Sequence, residues 1–230
     1  MHPYISDCFD RKYGITILVV FAAILAYGCH ISIAAVEEAY GISLPWYVEI
    51  PGISCLYGFL YSAYRRLFWR VRYKWLKFSN IPNLNGSWFG ELYSSHDSTQ
   101  PLAKSYYCML VIKQNWDQIL IEFRTETSTS FSDVAAIMMC EGKTIELRYE
   151  YFNKPKELCV DTMHPHGGAV YLEINTTFTE LKGGYYTNRK PPTCGEMSFR
   201  RVSVIREDFH AAKTKYIAIA KKGTKNFTLS

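Results

Sequence analysis

The sequence predicts a membrane-anchored all-β protein, in which two N-terminal transmembrane helices precede a small antiparallel β-barrel of about eight strands. Of the 230 residues, nearly all of the segments that are hydrophobic enough to span a membrane lie before residue 65. Short β-rich segments separated by turn residues fill the remainder. The 48% of apolar residues excludes a disordered chain, and a formal charge of +5 is too small to suggest a nucleic acid polymer as partner.

The first predicted transmembrane helix covers residues 14–36. Residues 13–36 contain no Asp, Glu, Lys or Arg, and apolar residues lie around the whole circumference of the predicted helix. At about 1.5 Å per residue, about 20 such residues cross a hydrocarbon core of about 30 Å. The apolar stretch exceeds the roughly 7–15 residues found in a cleaved signal peptide, so we expect an uncleaved anchor.

The second predicted transmembrane helix covers residues 44–64. Its one charged residue, Glu49, lies near the start of the span, where the cost of burying a charge in lipid is lower than at the centre. Aromatic residues lie towards both ends, as they do at membrane interfaces. Small residues recur every four positions in both spans and predict close helix packing, either within one chain or between chains.

Charged residues predict the orientation of this hairpin. Arg11 and Lys12 precede the first span, six basic residues and no acid lie in residues 65–77, and the connecting loop contains Glu37 and Glu38. The positive-inside rule therefore places the N-terminus and everything after the second span in the cytoplasm. We expect the basic residues of 65–77 to contact anionic membrane lipids.

The remainder predicts a cytoplasmic β-barrel in residues 79–205, between the anchor of residues 1–78 and a basic tail of residues 206–230 that we expect to be solvated. No helical pattern of about 10–15 residues interrupts the barrel region, and closing the sheet removes exposed strand edges. The predicted strands lie near residues 87–94, 105–113, 118–127, 133–140, 144–152, 169–175, 178–187 and 196–205.

Several predicted strands leave open which side chains point into the barrel. Ile121 and Phe123 alternate with Glu122 and Arg124, and residues 144–151 show a similar alternation. A period of two sends one set inward and the other outward, but a barrel that holds a ligand can have a partly polar interior. Both assignments remain open, and the choice between them changes every expected ligand contact.

No catalytic or metal-binding pattern is present in the sequence. His164 and His166 lack a third metal ligand at a recognisable spacing, the seven cysteines include no Cys-x-x-Cys pair, and there is no P-loop or Gly-x-Ser-x-Gly motif. The cysteines are expected to be reduced thiols. We therefore expect a protein that is not an enzyme and that needs no metal or cofactor.

The order of membrane spans, basic junction and minimal barrel resembles that of the SMODS-associating two-transmembrane, β-strand-rich effectors of bacterial CBASS anti-phage systems. The Gly-x-Trp start of the first strand also resembles lipocalin-like barrels, in which the Trp plugs the closed end; here that residue is Trp88. The stretches that carry the effector resemblance are Gly86–Gly90, Tyr149–Pro155, His166–Leu172, Leu181–Arg189, Gly195 and Arg200-Arg201.

The resemblance implies an antiviral effector of the bacterial inner membrane. Its barrel would bind a cyclic dinucleotide made by a partner nucleotidyltransferase. The bound chains would then form a homo-oligomer that disrupts the membrane and causes abortive infection.

Such a ligand needs arginines for its two phosphodiesters and aromatic faces for its bases. The expected phosphate contacts are Arg124, Arg189 and Arg201, with Arg148 as the alternative if the strand faces are reversed. The expected stacking or hydroxyl contacts are Tyr107, Tyr149, Tyr151 and Tyr186. The expected hydrogen-bonding contacts to base edges or ribose are Asn153, His166 and Thr187.

Two other functions are compatible with the sequence. The barrel could carry a lipid or another apolar ligand, as a membrane-tethered lipocalin-like protein. A membrane-anchored hydrolase acting on a nucleotide is the third hypothesis. Apolar cavity walls would favour a lipid, whereas convergent arginines and tyrosines would favour a nucleotide.

Overall fold

The computed structural model describes residues 1–7, 9–43, 45, 51–73, 76–77, 79–94, 105–139, 144–155, 166–190 and 192–227. The chain divides into two compact units, one of Met1–Ser6 with Pro82–Ser230 and one of Asp7–Ile81. The elements in chain order are β1 (His2–Pro3), β2 (Ile5–Ser6), α1 (Phe9–Tyr40), α2 (Pro51–Arg66), β3 (Arg72–Tyr73), β4 (Leu76–Lys77), β5 (Gly86–Ser94), β6 (Ser105–Gln114), β7 (Gln118–Arg124), β8 (Ser128–Met139), β9 (Ile145–Pro155), β10 (His166–Ile174), β11 (Glu180–Thr187), β12 (Cys194–Ser203) and α3 (Phe209–Phe227).

The unit of Asp7–Ile81 contains α1, α2 and the short β3–β4 hairpin. Within the described residues, one helical segment, Tyr13–Tyr40, is long and apolar enough to cross a membrane, with a mean hydropathy of 2.3. In contrast, α2 has 16 residues, fewer than the roughly 20 that a span requires. Residues 44 and 46–50 of the second predicted span lie outside the described residues, so that span stays a prediction.

The strands β5–β12 form a closed antiparallel barrel of eight strands within the described residues, each strand pairing with its neighbour in sequence and β5 pairing with β12. This confirms the predicted barrel. One turn differs from the prediction, because β7 ends at Arg124 and β8 already begins at Ser128. The Thr125 hydroxyl accepts the backbone N–H of Ser128 at 3.0 Å, which reverses the chain without a glycine or proline to signal it.

The strand register decides which side chains point inward. Tyr149 pairs with Val170, and Leu147 pairs with Leu172; all four side chains are buried. Because successive side chains alternate between faces, Arg148 and its charged neighbours on β9 lie outside the barrel. On β9 the inner set is therefore the apolar and tyrosine-bearing one.

One end of the barrel is filled by side chains around Trp88. This residue is fully buried, and its indole N–H donates to the Leu84 carbonyl at 3.0 Å. The Arg201 guanidinium lies 5.3 Å from the centre of the indole ring, within the range of a cation–π interaction. Trp88 thus plugs the closed end, as the resemblance to lipocalin-like barrels implied.

The segment after residue 205 was expected to be a solvated tail, but most of it forms helix α3. Ala212 is fully buried, and the rings of Phe209 and Tyr216 pack against Phe89 with centroid separations of 5.2 and 5.5 Å. Phe209, Ala212 and Tyr216 are spaced three and four residues apart, so they share one face of the helix. The sequence reasoning considered the lysines of this segment and missed that apolar spacing.

Residues 2–6 form an N-terminal strap that completes the seam between β7 and β8. Those two strands pair directly through only three residue pairs, Glu122–Arg124 with Thr129–Phe131. Beyond them, β1 pairs with β7 (His2 opposite Ile119), while β2 pairs in parallel with β8 (Ile5 opposite Ala136). The strap therefore supplies the backbone partners that the two strands do not give each other.

Side chains hold the strap in this seam. The His2 Nε2 atom lies 2.8 Å from the Ser132 hydroxyl, which also accepts the Ile121 N–H at 3.0 Å. Tyr4 is buried; its hydroxyl donates to the Trp116 carbonyl at 3.1 Å and accepts from the Gln114 side-chain amide at 3.2 Å. Burial and hydrogen bonding together make Tyr4 the anchor of the strap.

We expect Tyr4→Phe to lower the free energy of unfolding of the barrel by about 1–3 kcal/mol, because the Gln114 amide and the Trp116 carbonyl lose a buried partner. Urea unfolding followed by tryptophan fluorescence measures the change. The matched control is Tyr171→Phe, since Tyr171 is largely exposed, and it should change stability by less than about 0.5 kcal/mol. Equal losses in both variants would contradict an anchoring role for Tyr4.

Candidate ligand-binding cavity

The end of the barrel opposite Trp88 contains a cavity of about 290 Å³. This volume lies at the lower limit of ligand pockets, which measure about 300–1,000 Å³. Strand ends and the turns after β7 and β11 form its walls. The lining residues are Leu92, Ser94, Tyr106, Phe123, Thr125, Thr127, Ser128, Ser130, Tyr149, Tyr151, Asn153, His166, Val170, Tyr185, Thr187, Arg189, Thr193 and Met197.

Tyrosines dominate one wall of the cavity. The rings of Tyr149 and Tyr151 lie 6.3 Å apart between centroids and are inclined at 54°, and Tyr185 lies on β11 opposite Val170. Burial raises the pKa of Tyr151 to about 12, and it also raises the pKa values of Tyr149 and Tyr185. These hydroxyls therefore stay protonated at neutral pH and can donate hydrogen bonds, while the rings offer flat apolar faces.

Gly168 makes room for the Tyr151 ring. The two residues are cross-strand partners, and a Cβ atom at position 168 would lie 2.6 Å from the Tyr151 hydroxyl oxygen and 2.7 Å from Cζ, as well as 2.5 Å from the Tyr186 carbonyl oxygen. Glycine therefore lets the ring lie across β10. The neighbouring Gly167 has more space, since its nearest side-chain contact would be Asn188 Nδ2 at 3.3 Å.

Hydroxyl and amide groups form the polar part of the wall. The Ser130 hydroxyl donates to the Asn153 side-chain carbonyl at 2.8 Å, and the hydroxyls of Thr187 and Thr193 lie 2.9 Å apart. All four residues are buried. These bonds hold the side chains in defined orientations next to the cavity, which reduces the entropy lost when a ligand binds.

Arg189 contributes a positive charge at the cavity. It follows Asn188, whose side-chain oxygen accepts the Gly167 N–H at 2.9 Å and whose backbone N–H donates to the Gly167 carbonyl at 3.0 Å. Across the described ranges, no carboxylate lies within ion-pair distance of Arg189. An anion at the cavity would therefore not compete with a carboxylate of the described residues for this guanidinium.

Six of the ten residues expected to bind a ligand line this cavity. They lie on β9, β10 and β11 and on the turn that follows β11. They are Tyr149, Tyr151, Asn153, His166, Thr187 and Arg189.

The structure does not bring the other four to the cavity. Tyr107, Arg124 and Tyr186 occupy outward positions of their strands, because their neighbours in sequence, Tyr106, Phe123 and Tyr185, are the inward ones. Arg201 points inward, but it lies at the closed end of the barrel.

The local contacts of these residues fit their positions. Arg124 Nε donates to Glu122 Oε1 at 2.7 Å, and the Lys213 ammonium lies 4.4 Å from the centre of the Tyr107 ring. The Arg201 guanidinium donates to the carbonyls of Asn83 and Asn85. Arg148, the alternative phosphate contact, lies outside and pairs with Glu146 at 2.5 Å. None of these five side chains therefore lines the cavity.

Several residues that line the cavity were not predicted from the sequence. Once Tyr149 and Val170 are known to point inward, the period of two also selects Tyr185 and Phe123, but this step needs the register. Ser128 and Ser130 were missed because the predicted strand began at residue 133. Thr193 was missed because it lies in the turn between β11 and β12.

The raised tyrosine pKa values predict how stability depends on pH. A pKa raised from about 10 to about 12 favours the neutral phenol in the folded state, so the stabilisation is complete below pH 10 and is lost as the pH rises towards 12. We expect the free energy of unfolding to fall over this interval, by up to about 1.4 kcal/mol per pH unit for each proton involved. Urea titrations at pH 9, 10 and 11 measure the slope.

Tyr151→Phe should make this slope shallower, whereas Tyr171→Phe, a change at an exposed site, should leave it unchanged. A slope that is the same in wild type and Tyr151→Phe would contradict the burial of a neutral phenol at this position.

Comparison of the sequence with known proteins identifies a family for this chain. Residues 79–201, more than half of the chain, match the family described as Cap15, cyclic dinucleotide receptor domain. CD-NTase-associated protein 15 of Escherichia albertii is 25% identical over 134 residues, which are 57% of this chain and 66% of that protein. The matched region thus spans just under two thirds of the length of that relative.

The matched residues include β5–β11, most of β12 and every residue that lines the cavity. The resemblance to CBASS effectors drawn from the sequence is therefore confirmed at the level of the family. The chain belongs to the Cap15 family, whose shared domain is a cyclic dinucleotide receptor.

Proposed function

We propose that this protein is a CBASS antiviral effector whose barrel binds a cyclic dinucleotide made by a partner nucleotidyltransferase. Besides family membership, one observation supports the proposal: buried tyrosines and the guanidinium of Arg189 line the same cavity. An apolar ligand would not need Arg189 there, and the cost of leaving an arginine beside a lipid chain disfavours that alternative.

In this proposal Arg189 binds a phosphodiester. The ligand carries two such groups, each with one negative charge, and a guanidinium can donate two parallel hydrogen bonds to a phosphate. Tyr149 and Tyr151 offer stacking faces, each worth about 1–3 kcal/mol for a base. Asn153 and Thr187 lie close enough to the same cavity to donate or accept hydrogen bonds at a base edge or a ribose.

The cavity volume of about 290 Å³ suggests how much of the ligand is enclosed. Since this is the lower limit for a small-molecule pocket, we propose that one nucleotide enters the barrel while the other contacts the mouth. His166 and Arg189 lie where β10 begins and where β11 has ended, so they are placed to contact the outer nucleotide.

We propose that the output is disruption of the bacterial inner membrane by a homo-oligomer of bound chains. The apolar segment Tyr13–Tyr40 supports a membrane anchor, and the basic residues after α2 support a two-pass arrangement with the barrel in the cytoplasm. The protein would act as a sensor and effector, without changing the ligand chemically.

Isothermal titration calorimetry of the full chain in detergent micelles, with a panel of 3′-5′ and 2′-5′ cyclic dinucleotides, tests ligand binding. We expect micromolar or tighter binding of at least one ligand, and a loss of about tenfold or more in Arg189→Met, since a hydrogen bond to a charged group is worth about 1.5–3 kcal/mol. The control is Arg124→Met, which removes the same charge outside the barrel and should bind normally.

Equal effects of the two arginine variants would contradict the assignment of Arg189, and no heat with any ligand of the panel would contradict the proposed function. Two further measurements use the same preparation. Dye release from vesicles of anionic phospholipid should depend on the ligand that binds. Mass spectrometry after incubation should recover that ligand unchanged, whereas cleaved products would favour a hydrolase.

Gly168→Ala should weaken binding of the same ligand by about tenfold or more, because the added methyl group meets both the Tyr151 ring and the Tyr186 carbonyl oxygen, so that the stacking ring and the adjoining strand must shift. Gly167→Ala is the matched control, since the same methyl group there would come no closer than 3.3 Å to Asn188 Nδ2 and 3.5 Å to the Tyr151 carbonyl oxygen. Urea midpoints of both variants separate a binding effect from unfolding. If Gly168→Ala folds and binds as wild type, Tyr151 does not stack on the ligand.

A further inference from the structure

The outer surface of β8–β11 carries exposed apolar side chains that the cavity does not use. The register arranges them, with charged residues, in two neighbouring cross-strand rows, Ile5–Ala136–Arg148–Tyr171 and Val134–Glu150–Ala169–Tyr186. These rows border a groove of about 470 Å³, which we call the outer groove. More than half of the residue surface is exposed in Ile5, Val134, Tyr171 and Tyr186.

The barrel buries comparable side chains where a helix is available to cover them. On the outer surface of β5 and β6, Phe89 and Met109 are fully buried, and α3 packs against them. Among the described residues of the barrel unit the one helix is α3, and it packs on β5, β6 and β12 instead of on the outer groove. Exposed apolar surface that is clustered and bordered by charges is typical of a protein–protein contact.

The charges of the outer groove favour a second copy of this chain as the partner. Along β9 the outward residues read Glu146, Arg148, Glu150, while the outward Glu173 of β10 lies opposite the outward Lys182 of β11. Among these residues three acids stand against two basic residues, so they lack the excess of positive charge that an anionic membrane surface or a nucleic acid would require. The outward charges along β9 alternate in sign. Two antiparallel copies of this strand can therefore place opposite charges against each other.

Side-chain sizes show the same self-complementarity. A two-fold axis that runs across the strands, between the two rows, places each row of one copy on the other row of the second copy. Arg148 then faces Glu150 of the second copy, and Tyr171 faces the small Ala169 of the second copy. On β8, Val134 faces Ala136. Each large side chain meets a small one, and each arginine meets a carboxylate.

We propose that the outer groove is an isologous interface between two copies of this chain. The proposal names a contact surface for the homo-oligomer, and to that extent it rests on the proposed function. The same strands hold the cavity on their inner side, because Tyr149 and Tyr151 alternate with Arg148 and Glu150 along β9. Ligand and second copy would therefore contact opposite faces of one sheet.

Charge reversal tests this interface in the full chain, in micelles with the binding cyclic dinucleotide present. Arg148→Glu places carboxylates opposite each other across the axis, and Glu150→Arg places guanidinium groups opposite each other. Either variant alone should self-associate about tenfold or more weakly than wild type, because like charges at an interface are strongly unfavourable. An equimolar mixture of the two variants should restore association, since each reversed charge then meets its opposite. Sedimentation velocity measures the associated fraction.

Lys113→Glu is the control, an exposed reversal on β6, and it should associate as wild type. Calorimetry on each variant separates the two proposals. Normal ligand binding without rescue in the mixture would overturn the outer groove as the interface while leaving the proposed function intact. A wild-type chain that binds the ligand and stays monomeric would also overturn the interface, and a wild-type chain that binds no ligand would overturn the proposed function.

Discussion

The closure of eight strands into one barrel is the constraint on which the rest of the structure depends. In a closed sheet every side chain points either to the interior or to the outside, and the pairing register decides which. The same register that sends Tyr149 and Tyr151 inward sends Arg148 and Glu150 outward. The cavity and the outer groove are therefore two consequences of a single alignment of β9 with its neighbours.

Closure of the barrel also gives its arginines different environments and different roles. Arg124 and Arg148, on the outside, lie within ion-pair distance of glutamates on their own strands, two residues away. Arg201, at the closed end, donates to backbone carbonyls and lies against the Trp88 ring, and burial lowers its pKa below the usual value. Arg189 lies on a turn that strand pairing does not neutralise. Charge at the cavity is thus provided by the loop that follows a strand, while charges on the strands themselves stabilise the scaffold.

The sequence predicted the strands of the barrel and the residues on β9, β10 and the end of β11 that line the cavity, because period-two patterns and turn residues are local signals. It could not decide the inward face, since an inward and an outward tyrosine look alike until the partner strand is known; Tyr107 and Tyr186 were chosen for that reason. The turn at Thr125 and the packing of α3 were missed because a side-chain hydrogen bond and a three-residue apolar stripe are weak signals. No sequence pattern in the five residues 2–6 predicted the N-terminal strap.

The strap has a consequence for how the chain is made. His2 and Ser132 are 130 residues apart, and all of α1 and α2 lie between them. During synthesis, residues 2–6 must remain unpaired until β7 and β8 have left the ribosome, and contacts of such long range form slowly. The seam therefore closes only after β8 has been synthesised, and an incomplete chain cannot yet present a closed barrel.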